Sequence, residues 1–187
     1  MRYFISFLIA LGLLFLVIFL LFRGGGKPAA PQLTARALAG YATSNAEAVM
    51  TIDGPVNSVQ NHQQIRVTVS RDTVTYEQLQ GYSGDVVNVQ QYANTSDAYA
   101  AFLLSLARAG YTNGDNNPKA RDERGFCPLG DRYVFQFTQD NQDLERYWTT
   151  SCGGAKTYLG PLSLTVRLFQ LQVPNYSTLT QNIAANF

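Results

Sequence analysis

From Tyr3 to Phe22 the chain runs YFISFLIALGLLFLVIFLLF, twenty residues without a charge and with only Ser6 as an aliphatic hydroxyl. At about 1.5 Å per residue a helix of that length spans roughly 30 Å, the hydrocarbon thickness of a bilayer. Arg2 precedes the run and Arg23 closes it. A cleaved signal sequence has a shorter apolar region, followed closely by small residues. Here Arg23-Gly24-Gly25-Gly26-Lys27 follows, and the A-x-A triplets at 35–37 and 37–39 lie far downstream. The segment 3–22 is therefore read as a retained single-pass anchor, with the lipid bilayer as its first partner.

Lysine and arginine flank the segment on both sides, with Arg2 before it and Arg23 plus Lys27 after it. Counted literally, that bias keeps the C-terminal side in the cytoplasm. The rule governs short loops, however, and long domains translocate past a modest bias. Only three lysines occur in the chain, against 26 asparagines and glutamines, and two cysteines are free to pair. These features favour a cytoplasmic N-terminus and an extracytoplasmic domain.

Residues 23–33, RGGGKPAAPQL, read as a linker, flexible at the glycines and extended near Pro28 and Pro31. Fully stretched, it reaches about 35 Å. The remaining 34–187 is long enough for a single core without a metal or cofactor. Across the whole chain 46% of residues are apolar and 14% charged, with 11 Phe and 11 Tyr. That balance opposes disorder. A formal net charge of +1 removes the electrostatic case for nucleic-acid binding, which rests on a basic surplus.

Period-two alternation predicts strands at Val49–Ile52, around Ile65, Val67 and Val69, at Val74 and Tyr76, and at Val87 and Val89. After a helix, it predicts three more: Tyr133–Phe137, Leu144–Cys152, and Leu162 through Val173 with a bulge near Leu168. The helix is Ser96–Ala109, with apolar residues at helical spacing, cap residues at 94–97 and Gly110 as its stop. A short second helix is expected over Ser177–Ala185, with Leu179 and Ile183 facing inward. The order ββββ-α-βββ-α, with strands beside strands, specifies an α+β fold with a mainly antiparallel sheet.

Cys127 and Cys152 flank a predicted hairpin that brings them together, which favours a disulfide in an exported domain. Two Cys and one His are too few for a structural zinc site. A Cys152–His62 pair in a cell-envelope enzyme is the catalytic alternative, although the Ser151-Cys152-Gly153-Gly154 context lacks the surroundings of such nucleophiles. His62 itself reads as an exposed loop residue. Tyr82, Tyr92, Tyr147 and Tyr158 are the candidate recognition aromatics, because they fall near turns or off the expected core phase.

The stretches Cys127-Pro128-Leu129-Gly130-Asp131-Arg132-Tyr133 and Arg146-Tyr147-Trp148-Thr149-Thr150-Ser151-Cys152-Gly153-Gly154, together with the apolar segment, resemble uncharacterised single-pass exported proteins of small-genome bacteria. The resemblance implies a cell-envelope location and no activity. The expectation is a non-catalytic binding or scaffold domain for an envelope protein or glycan. A third option is a structural subunit of a membrane complex, for which the Leu-rich segment with its lone Gly12 supplies no close-packing motif.

Overall fold

The computed structural model describes residues 11–16, 19, 35–115, 117–181 and 183. The chain divides into two compact units, Met1–Pro31 and Gln32–Phe187. Of the apolar segment 3–22, residues 11–16 and 19 are helical and the rest lies outside the described residues, as does the linker 23–33. Among the described residues no helix is long and apolar enough to cross a membrane.

The second unit is α+β. Helix α1 (Ala35–Ala39) leads into β1 (Glu47–Asp53), β2 (Gln63–Val69), β3 (Thr73–Gln80) and β4 (Asp85–Ala93). Helix α2 (Ser96–Arg108) follows, then β5 (Arg132–Gln139), β6 (Gln142–Thr150), α3 (Leu162–Gln170) and α4 (Tyr176–Thr180). The six strands form one antiparallel sheet in the order β4-β3-β2-β1-β5-β6, which puts β1 at its centre. The β5–β6 hairpin closes on Asp140 and Asn141, both at positive φ (51° and 60°). That backbone is what two-residue hairpin turns require, and Asp and Asn tolerate it best after glycine.

Register explains the core. Tyr76, Val67, Met50, Phe135 and Tyr147 lie side by side across β3, β2, β1, β5 and β6, and all five are fully buried. Residues two apart along each strand share that face, so Ala48, Ile52, Val69 and Phe137 extend the row above and below. Helix α2 lays Tyr99, Phe102, Leu103 and Leu106 on the core. Its N-terminus is capped by Thr95, whose hydroxyl accepts from the Ala98 amide, a contact worth about 1 kcal/mol. Phe169 of α3 meets Phe102 edge-on at 5.2 Å and Phe135 at 6.3 Å.

The predicted seventh strand, Leu162 through Val173, is a correction. Residues Leu162–Gln170 are helix α3, and the bulge expected near Leu168 falls inside it. The buried positions are Thr165, Phe169 and Val173, each four residues from the last, whereas Leu164 and Leu171 stay exposed. A polar member of the buried row hides the helical period, while Leu162, Leu164, Val166 and Leu168 imitate a strand. The Thr165 hydroxyl is satisfied in the core by Tyr158 Oη at 2.6 Å. The last helix is also shorter than expected: α4 is Tyr176–Thr180, and Ala184 and Ala185 lie outside the described residues. Leu179 and Ile183 do pack on the core.

The other face of the sheet is covered over β6 and, where β1 ends and β5 begins, by loop 55–62. Segment 117–130 folds over β6, where Trp148 donates Nε1–H to the Ala120 carbonyl at 2.6 Å and packs on Phe126 at 4.9 Å. Arg146 pairs with Glu123 at 2.7 Å. Cys127 and Cys152 form a disulfide with a Cα–Cα separation of 5.7 Å, tying this segment to the end of β6.

Candidate functional site

The four tyrosines singled out from the sequence do not make one surface. Tyr147 and Tyr158 are 0% and 1% exposed. Their assignment to a recognition surface is corrected, because both faces of β6 are covered there. Tyr147 lies in the core row and donates its hydroxyl to the buried Glu145, and Tyr158 packs on Phe135 at 4.7 Å. Tyr82 and Tyr92 do reach the surface, Tyr82 in the turn before β4 and Tyr92 near the end of that strand. At about 3.3 Å per residue the intervening strand holds them more than 20 Å apart.

His62 is also corrected. It is fully buried, not an exposed loop residue. Its ring stacks on Tyr82 at 4.1 Å, Nδ1 lies 3.1 Å from the Pro55 carbonyl, and Nε2 lies 2.8 Å from Asp53 Oδ1. Asp53 Oδ2 pairs in turn with the buried Arg132 at 2.8 Å, and Arg132 reaches the Gly54 carbonyl at 3.1 Å. The cluster ties the end of β1 to the start of β5 and to loop 55–62. It is closed to a substrate. With both sulfurs engaged in the disulfide, the Cys152–His62 pair lacks a free thiol.

A cleft of about 170 Å³ opens on the helical side of the sheet, where β1 ends and β2 and β5 begin. Its floor is Ile52 and Ile65, opposite each other in the β1–β2 ladder. Tyr133, the β5 neighbour of Ile52, forms one wall. Asp131 shares that side because residues two apart on an extended chain point the same way, whereas Arg132 points to the opposite face and Asp53. The far wall is Tyr176 and Thr180 of α4, with Gln170 from the end of α3. Helix α4 is held over the cleft by Tyr176, edge-on to Tyr76 at 5.9 Å, and by Gln78, which donates to the Leu179 carbonyl at 2.8 Å. Past Gln170 and Tyr176 the cleft runs into a larger groove of about 550 Å³ that Arg167 helps to line.

The cleft contains acids and no base. Burial pushes the Asp131 carboxyl above the usual carboxylate range, and the nearby Asp53 charge adds to that shift. The Tyr133 hydroxyl donates to Asp131 Oδ2 at 3.3 Å and opposes it. Tyr133 is pushed up to about 12, first by burial and then by Asp131. Burial raises Tyr176 as well. None of the ion pairs among the described residues uses Asp131. An apolar floor, two aromatic walls and a few convergent polar groups are the ordinary makings of a ligand site.

Sequence reasoning placed none of these residues in a site. They come from five separated segments, and the only local hint was Asp131 beside Tyr133 at strand spacing. No protein-family model matches the chain, and comparison with curated proteins gives no match.

Proposed function

We propose that the protein is a non-catalytic binding domain, held on the extracytoplasmic side of a cell membrane by residues 3–22, which captures a protein or envelope polymer through the cleft between β1, β5 and α4. The observation that carries this reading is the cleft itself: Ile52 and Ile65 below, Tyr133 and Tyr176 on the sides, and Asp131 at its head. The apolar run Tyr3–Phe22 and the linker behind it supply the tether.

The test uses the full-length protein, tagged at the C-terminus and purified from its native membranes alongside a Thr180→Trp variant. The indole at position 180 fills the mouth of the cleft. A stoichiometric partner recovered with the native protein and lost with the variant is the expected result. A partner retained equally by both overturns the cleft as the binding site. Hydrolysis of cell-wall material by the purified protein, abolished by one point substitution, overturns the non-catalytic reading. Protease protection of the C-terminal tag in intact spheroplasts overturns the topology.

A further inference from the structure

The cleft has a chemistry more specific than its shape, and the ligand class it selects rests on the binding reading just given. Its one formal charge is the Asp131 carboxylate, half-buried and held by a single hydroxyl from Tyr133. The residue best placed by sequence to neutralise it, Arg132, is committed to Asp53 and Gly54 on the other face. Burial disfavours an anion here, so the ionised Asp131 is undercompensated by the protein and is relieved by a cation that enters the cleft. Two tyrosine rings flank the position, and aromatic faces attract cations. Below them Ile52 and Ile65 offer only hydrocarbon, which a hydrated inorganic ion does not match and an alkyl stem does.

Size narrows the choice. A cavity of about 150 Å³ holds a benzene ring, so 170 Å³ takes about six heavy atoms. That is a butylammonium ion or the outer part of a lysine side chain. The adjoining groove bears Arg167, which repels a second cation and favours an anionic or neutral remainder of the ligand. We propose that the cleft binds a protonated primary amine on an aliphatic stem, with the ammonium between Asp131, Tyr133 and Tyr176 and the stem along Ile52 and Ile65. The amine belongs either to a lysine of a partner protein or to a free small molecule.

Titration of the full-length protein, labelled at isoleucine δ1 methyls, follows Ile52 and Ile65 directly, and only six isoleucines occur in the chain. Butylammonium, butanol and butyrate are compared first. Saturable shifts at both methyls with butylammonium alone, weakened about tenfold or more in Asp131→Asn, are the expected outcome. Equal binding of butanol or butyrate overturns the amine assignment while leaving a ligand cleft in place. No shift with any of the three also overturns it, and the binding reading then stands or falls on the Thr180→Trp comparison. Nα-acetyl-lysine methylamide and its Nε-acetylated form identify the source. Binding of the first only points to a partner lysine. Binding of butylammonium without either points to a free amine.

Discussion

β4 and β6 are the outermost strands of the same sheet, nine residues each, and they are finished in opposite ways. Beyond β6 the chain returns: the Thr157 and Tyr158 amides donate to the Trp148 carbonyl at 2.9 Å, and the Trp148 amide donates to the Thr157 hydroxyl at 2.8 Å. A bridge between Gly114 and Tyr158 and a bond from the Asp115 amide to the Thr157 carbonyl complete the cover. Beyond β4 no described strand follows. Every second residue there turns its N–H and C=O away from β3, and Val86, Val87 and Val89 are about half exposed. The irregularity opposite Gln78 and Leu79 is the one device on that edge that disturbs a neighbouring strand. An edge is made safe by chain that comes back to it, and this fold uses that chain on one side only.

The comparison breaks most readily at the disulfide. It closes 26 residues around the guarded edge, worth about 3.5 kcal/mol in the chain-entropy treatment. Replacing both cysteines by serine, or reducing them, should lower stability by about that amount in denaturant titrations. Hydrogen exchange should then rise in segment 117–130 and β6 while β3 and β4 change little; the reverse pattern sinks the contrast. Next comes Thr157→Val, which removes the acceptor of the buried Trp148 amide. The expected loss is about 1–3 kcal/mol, the cost of an unsatisfied buried donor, measured by thermal and chemical unfolding.

The third prediction has the opposite sign. The Asp131 carboxyl is raised in the folded protein, so its contribution to stability is full below the unfolded value of about 3.9 and is lost as pH rises through the folded one. At pH 7 the ionised side chain burdens the fold. Asp131→Asn should therefore raise the melting temperature at pH 7, and the gain should shrink toward pH 3; a gain independent of pH refutes the argument. The smallest effect is expected on the open edge. Val89→Lys adds a charge to a half-exposed position and should change stability by no more than about 0.5 kcal/mol. Light scattering at high protein concentration should show less self-association, because a charged edge resists strand pairing.

The first six strands could be read from the alternation of apolar side chains, which β2 and β3 match by burying about every second residue, although β4 buries none and β6 buries both faces at its end. Helix α2 was legible from its cap and its 3.6-residue stripe. Leu162–Gln170 was not, since Thr165 occupies a core position that its composition disguises, and Pro161 ahead of it was the overlooked sign of a helix start. Tyr147 was misassigned through the phase of its strand. Trp148 and Arg146 are covered by segment 117–130 while Tyr147 is covered by Thr112, Gly114 and Tyr158, so alternation there separates two buried faces and no surface. The cleft was illegible for a different reason. Ile52, Asp131, Gln170 and Tyr176 meet only after the register and the packing of α3 and α4 are set, and those depend on contacts more than 100 residues apart, such as Gln78 with Leu179.

The central place of β1 has a mechanical meaning. The chain enters the sheet through this strand, and the cleft lies at its far end, beside Ile52. A pull from the N-terminal side, resisted by a ligand held at the cleft, runs along β1 and loads its ladders to β2 and β5 in shear. Six residue pairs on one side and seven on the other must then slide together, whereas the edge strand β4 would meet the same load with a single ladder of eight pairs. Under such a load the fold would carry tension along a strand laddered on both sides, and its bare edge at β4 would lie outside the line of force.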